Sequence, residues 1–221
     1  MAEIKNVVVF ENEHKQLIDS ELNQPKLDHR RWGVSDLLDL RVFIRKHYRD
    51  EQTGYCAYCR KDVSLRSVMN CHVEHIAPKS IYPEFMFHEK NLCVACADCN
   101  EIKREQETME CCPDTIVGGS NRSQYPRSSK AFYIVHPHFD IYDEHILIHN
   151  GYYIDLTEKG HFTIGACMLN RRTRRFGHIE YVPEATEDAE LVQSMSDFVH
   201  CTGFIDKSKA FQKVKQLVNK V

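Results

Sequence analysis

The chain has 221 residues, 42% of them hydrophobic and 28% charged, which gives enough apolar material for a packed interior and excludes a disordered polyelectrolyte. No apolar run nears the roughly 20 residues that span a membrane, and the opening MAEIKNVVVFENEHK carries no secretory pattern, so a cytoplasmic protein is expected. A net charge of −3 excludes a uniformly basic nucleic-acid binder, but the charge is segregated, with RRTRR at 171–175, five lysines against one acid from Asp206 to Val221, and five acids without a base from Glu184 to Asp197.

The first thirty residues are polar apart from Val7 to Phe10, which read as a short strand. Ser35 is a helix N-cap candidate, with Asp36 favourable in the first turn. Leu37, Leu40, Ile44 and Tyr48 then recur at helical spacing, and Gly54 is a stop. Arg66 to His75 reads as a strand or hairpin arm, Pro78 and Pro83 bound a loop, and Leu92 to Val94 is short and apolar. Asp98 caps a predicted helix from about Cys99 to Glu107, and 108–130 reads as a loop or linker. Asn150-Gly151 between two short runs predicts a hairpin of Ile146–His149 with Tyr152–Asp155, because its tight turn needs positive φ at both central residues. Helices are expected over Thr163 to Arg175, from a Thr186 cap to near Gly203, and from about Ser208, with Phe211, Val214, Leu217 and Val218 on one face. The expected organisation is an N-terminal helical segment at 1–53, a motif-dense core at 54–110, a linker at 111–130 and a C-terminal hairpin with helices at 131–221. The fold class is α+β and mostly helical.

Ten cysteines are many for a chain in a reducing compartment, where paired cysteines suggest metal before disulfide. Cys56 with Cys59, and Cys96 with Cys99, form two C-x-x-C pairs separated by 36 residues. Two such knuckles can set four thiolates tetrahedrally around one structural Zn2+. A four-thiolate site has no open position, so this ion folds the chain and does not catalyse. Inside and beside the knuckles stand HVEHIAPKS and NLCVACADCNEIK. The first sets Glu74 beside His75 at a strand end. The second sets Asn91 before an apolar segment and Asn100 in the first helical turn, with Lys103 one turn on, on the same face.

Residues 56–103, read as C-x-x-C, acid-His-x-x-Pro, Asn-Leu, then C-x-x-C-Asn-x-x-Lys, resemble the zinc-containing HNH endonucleases. Glu74 stands where that family more usually has Asp. The resemblance implies a zinc-stapled ββα-metal HNH finger embedded in the mostly helical domain, hydrolysing phosphodiester bonds of DNA rather than RNA. It further implies that His75 takes a proton from water, that Glu74 and Asn100 hold a catalytic Mg2+ or Mn2+, that Asn91 orients the His75 loop, and that Lys103 holds a phosphate. Hard oxygen donors suit those ions. His72 shares strand parity with Glu74 and is a further candidate ligand. HPHFDIYDEHI carries three histidines and three acids but matches no standard metal spacing, so a polar packed segment is expected there. Arg171, Arg172, Arg174 and Arg175 are expected to clamp a nucleic-acid backbone, or else to pair with acids. More narrowly, the acid-His-x-x-Pro-Lys-Ser run, HPHFDIYDEH and LNRR resemble the PtuB-like HNH subunit of Septu and retron ATPase–nuclease antiphage systems. That implies an ATPase protein partner docked on the N-terminal segment or the C-terminal helices, since the chain has no nucleotide-binding G-x-x-x-x-G-K-[ST] loop of its own. A non-catalytic zinc module that binds nucleic acid or protein is the alternative.

Overall fold

The computed structural model describes residues 4–108, 114–119, 122–176 and 188–218. The fold is α+β and predominantly helical, with two small antiparallel sheets. The chain divides into two units, 1–146 with 155–168, and 147–154 with 169–221. The expected segments 1–53 and 54–110 therefore both belong to the first unit.

The first unit opens on extended chain, not a strand. Ile4, Val8 and Phe10 are buried while Val9 is 76% exposed, as in a strand, yet among the described residues no strand pairs with it. Its backbone is held instead by side chains and a loop: Val8 N–H donates to Tyr48 Oη at 3.3 Å, Asn6 N–H to Glu51 at 2.9 Å, and Ile4 N–H to the Pro137 carbonyl at 3.1 Å. Helix α1 (Asn12–Leu22) follows. It went unpredicted because it buries only Ile18 and Glu21. Glu21 takes Arg31 through two hydrogen bonds of 2.6 and 2.7 Å, tying α1 to the 3-10 turn His29–Gly33.

Helix α2 (Leu38–Glu51) is entered through a 3-10 turn at Ser35–Leu37. Ser35 does not cap it; its hydroxyl donates to Asp36 at 3.0 Å. The predicted apolar face is buried throughout, with Leu37, Leu40, Ile44 and Tyr48 at 0–1% exposure. After the helix, Gly54 adopts φ +79° and its N–H donates to the Arg49 carbonyl at 2.9 Å, the left-handed closure that glycine supplies cheaply. Buried Gln52 then clasps Val94, donating to its carbonyl at 2.9 Å and accepting from its N–H at 2.7 Å, which docks α2 on the motif region.

That region is β1 (His72–His75), β2 (Leu92–Ala95) and α3 (Ala97–Thr108). The strands are antiparallel, with His72 opposite Ala95 and His75 opposite Leu92. The strand expected from Arg66 is shortened to four residues, because a 3-10 turn at Val68–Asn70 interrupts it. Helix α3 begins two residues earlier than expected, with Asp98 inside its first turn. Helix α4 (Glu158–Ala166) completes the first unit, capped by Thr157, whose hydroxyl accepts from Gly160 N–H at 3.2 Å.

The second unit holds most of the hairpin β3 (Ile146–His149) and β4 (Tyr152–Asp155), together with α5 (Arg171–Phe176), α6 (Asp188–His200) and α7 (Phe204–Val218). The hairpin matches its prediction, with Asn150 at φ +47° and Gly151 at +79°. The single helix predicted over Thr163–Arg175 is two helices, α4 and α5, because the chain turns between them and Met168 takes φ +43°. Tyr152, Ile154, Leu191, Met195, Phe198, Val199 and Val214 form this unit's core, with Phe211, Leu217 and Val218 packed on it. Helix α7 starts at Phe204, earlier than Ser208; the Thr186 cap lies outside the described residues. Among the described residues no helix is long and apolar enough to cross a membrane.

Candidate functional site

Cys56, Cys59, Cys96 and Cys99 are all buried and bring their sulfurs within 4.8 Å of one another. A tetrahedral ion with Zn–S near 2.3 Å sets neighbouring sulfurs about 3.8 Å apart, and Cys59 Sγ lies 3.7 Å from Cys96 Sγ. The knuckle turns are built for this. Arg60, at φ +56°, donates its N–H to the Cys56 carbonyl at 3.1 Å, and Cys99 N–H points at Cys96 Sγ at 3.4 Å. Crowding splits the thiols: hydrogen bonds from Cys56, Cys59 and Cys99 hold Cys96 far below the usual thiol range, while Cys56, Cys59 and Cys96 push Cys99 up. A bound cation would draw all four to the thiolate. The donor set fits structural Zn2+. It is the only such cluster among the described residues, so HPHFDIYDEHI does not form a second one.

One strand away, the polar motif residues gather at an open cleft of about 740 Å³ whose lining includes His72, Glu74, His75, Asn100 and Lys103. His75 is 4% exposed, and its Nε2 meets the Met86 carbonyl at 3.1 Å. A carbonyl only accepts, so Nε2 carries the proton and Nδ1 is the basic nitrogen. Burial, with Lys79 and Lys103 adding to it, holds the imidazole well below its usual pKa, so it is neutral at pH 7. The Trp32 ring stands edge-on to it at 4.6 Å.

Asn91 is fully buried and makes three backbone contacts. Its Oδ1 accepts from Ala77 N–H at 2.7 Å, and its Nδ2 donates to the Phe85 carbonyl at 2.9 Å and the Ala77 carbonyl at 3.2 Å. It thus closes the loop that leaves His75, without lining the cleft. Three distant side chains hold the carbonyls around it. Tyr48 Oη donates to Glu89 at 2.6 Å, Tyr125 Oη to Lys90 at 3.0 Å, and His138 Nε2 to Leu92 at 2.8 Å. Burial brings His138 down to about 4, so its ring is neutral. His136, buried beside it, bonds Tyr125 Oη at 2.9 Å and takes the His138 N–H at 3.2 Å on Nδ1. HPHFDIYDEHI is thus a polar packed segment that supports the loop.

Glu74 is 6% exposed, and Lys103 Nζ lies 2.8 Å from its Oε1 and 3.1 Å from the His75 carbonyl. Lys103, expected on a phosphate, is itself buried in this contact. His72 Nε2 bonds the Met69 carbonyl at 3.2 Å, so its Nδ1 accepts from Asn100 Nδ2 at 3.2 Å. His72 therefore orients the Asn100 amide. Glu74 and Asn100 both line this cleft, and a carboxylate with an amide oxygen is the donor chemistry of a hard divalent ion, but the Lys103 ammonium already occupies the Glu74 carboxylate and such an ion would have to displace it.

Sequence reading missed the part of the lining that comes from the N-terminal segment, Trp32, Arg41 and Arg45 among it. Arg41 Nη1 donates to the Trp32 carbonyl at 2.5 Å and to that of Val34 at 2.8 Å, so the helix fixes the tryptophan. The available signal was the R-x-x-x-R-x-x-x-R spacing of Arg41, Arg45 and Arg49, one position after the buried face. Arg171, Arg172, Arg174 and Arg175 stand on α5 in the second unit; the cleft lining comes from residues 29–104. No protein-family model matches the chain, and no curated protein matches it.

Proposed function

We propose that the chain is a metal-dependent HNH-type endonuclease that hydrolyses phosphodiester bonds, with DNA the preferred substrate, and that β1, β2 and α3 are its ββα-metal finger. One observation carries the reading: a neutral imidazole and a carboxylate from β1 and an amide from α3 share one open cleft beside a four-thiol metal site. His75 accepts the proton of an attacking water at Nδ1, and its Nε2–H bond to Met86 holds the ring and stabilises the imidazolium that forms. Asn91 keeps the His75 loop in place, while Glu74 and Asn100 would hold Mg2+ or Mn2+. Such an ion supplies charge neutralisation at the phosphate and the leaving oxygen. By the sequence resemblance, the chain is the effector of an antiphage system whose ATPase partner docks elsewhere on it.

The four-cysteine cluster by itself supports a smaller reading, a non-catalytic zinc module that recognises nucleic acid or docks a protein. The Lys103–Glu74 contact favours it, because that carboxylate is already matched by an ammonium. Incubating the zinc-loaded full chain with supercoiled plasmid or tRNA and Mg2+ or Mn2+, with and without co-purified proteins, separates the two. The nuclease cuts, and His75→Ala keeps its zinc while losing at least about 10²-fold in rate. Undiminished cutting by His75→Ala refutes the catalytic assignment, and no cutting under any condition leaves the zinc module as the function.

A further inference from the structure

The cleft is lined by five basic side chains, Arg41, Arg45, Lys79, Lys103 and Arg104, against one acid, Glu74, in a chain whose net charge is −3. Two of these cations are matched internally: Lys103 by Glu74 at 2.8 Å, and Arg104 by Glu101 at 2.6 Å. Arg41 is engaged with two backbone carbonyls. Arg45 differs. Its Nε is buried with no hydrogen-bond partner, and no acid pairs with it among the described residues. Burial pulls its pKa down against the opposing effect of Cys71, and the neighbouring Arg41 and Arg49 also lower it. A buried guanidinium N–H left unpaired beside cationic neighbours is an unfavourable resting arrangement. It becomes favourable when an anion enters, because guanidinium and phosphate oxygens pair in two parallel hydrogen bonds.

We propose that Arg45, with Arg41 one turn before it on α2, is a phosphate seat for the nucleic-acid backbone, on the cleft wall built by the N-terminal segment. This deepens the nuclease reading, but it concerns binding and stands apart from cutting. Substrate then lies in the cleft lined by His29, Trp32, Arg41 and Arg45 together with residues of β1, and the N-terminal segment contributes to the substrate-binding surface.

The test uses the full-length, zinc-loaded His75→Ala protein and a fluorescein-labelled 20-mer, duplex or single-stranded, with anisotropy measured across a salt series. Arg45→Gln is expected to raise Kd about 10-fold, as for the loss of a hydrogen bond to a charged group. It should also lower the slope of log Kd on log salt by about 0.9 on duplex or about 0.7 on single strand. Arg45→Lys should recover part of the affinity, and Lys46→Gln, exposed on the same helix, should stay within about 2-fold. Equal effects of Arg45→Gln and Lys46→Gln, or an unchanged slope, overturn the proposal. So does competition at Arg45 by inorganic phosphate in a protein that binds no oligonucleotide. If Arg45→Gln loses zinc, phenylglyoxal labelling of the unsubstituted protein replaces it: the oligonucleotide should protect Arg45 but not the exposed Arg30, and equal labelling of both overturns the proposal. Arg45-dependent binding in a protein that never cuts removes the hydrolase reading and leaves this site standing. Cutting indifferent to Arg45 does the reverse.

Discussion

Replacing Asn91 with alanine leaves two backbone groups without a partner in a buried interior, Ala77 N–H and the Ala77 carbonyl, while the Phe85 carbonyl keeps the His88 N–H at 3.1 Å. A buried polar group left unpaired costs about 1–3 kcal/mol. The 3.2 Å contact belongs at the low end of that range and the 2.7 Å contact at the high end. The expected loss is about 4 kcal/mol, a large share of the ~5–15 kcal/mol typical of a folded domain. The measurement is urea unfolding of the full chain at fixed free zinc, followed by fluorescence of the single tryptophan. Trp32 is a local reporter, since it packs on His75 and Phe87 at 4.6 and 5.7 Å. Asn91→Asp keeps the volume and the acceptor toward Ala77 N–H but turns the donor end into an acceptor facing two carbonyls. Burial and those carbonyls raise that carboxyl's folded-state pKa, so its penalty relative to the unsubstituted protein should grow from pH 5.5 to pH 8. A loss under about 1 kcal/mol for Asn91→Ala would refute the reasoning.

Each of Cys56, Cys59, Cys96 and Cys99 changed to serine should abolish stoichiometric zinc by elemental analysis and unfold the first unit by circular dichroism, because zinc binding worth about 10–16 kcal/mol in finger peptides is folding free energy; folded, zinc-loaded variants would contradict the site. The pH–rate profile of cutting should keep its rate down through pH 6.5, since burial holds His75 below that value and the neutral ring is the active form; an acid limb centred above 6.5 would count against His75 as the base. Gly160→Ala should cost about 3 kcal/mol by thermal unfolding, as severe overpacking does, because its Cβ would stand 2.0 Å from the His145 carbonyl oxygen; an unchanged Tm would show that this turn gives way freely.

Short-range chemistry was legible in the sequence where one local rule decides the outcome. Asn150-Gly151 can only turn one way, the knuckle spacing presents two sulfurs to one point, and the apolar face of α2 has nowhere to go but inward. The reading failed where the deciding partner is remote. Val7–Phe10 is a short apolar run that reads as a strand, but Tyr48, Glu51 and Pro137 supply the backbone partners of this segment. Lys103 looked like a free cation because no spacing rule says that Glu74, on another element, will claim it. The continuous pattern across Thr163–Arg175 hid a left-handed Met168. Arg45 and Trp32 precede the first knuckle, so no motif includes them, and only the folded chain brings them into the cleft that His75 lines.

The three carbonyls around Asn91 bear on how the His75 loop could be transplanted. Their donors are Tyr48, Tyr125 and His138, none of them inside the stretch from Cys56 to Lys103 that holds every motif residue. A graft of that stretch onto another scaffold would carry its own metal staple and all its reactive groups, yet leave the polypeptide on both sides of Asn91 without its outside supports. Such a graft should bind zinc with the register of its strands intact while the His75 loop samples many positions. The cassette visible in the sequence is therefore smaller than the unit that could be inherited or engineered as a working piece, and that unit extends back to α2 and forward to His138.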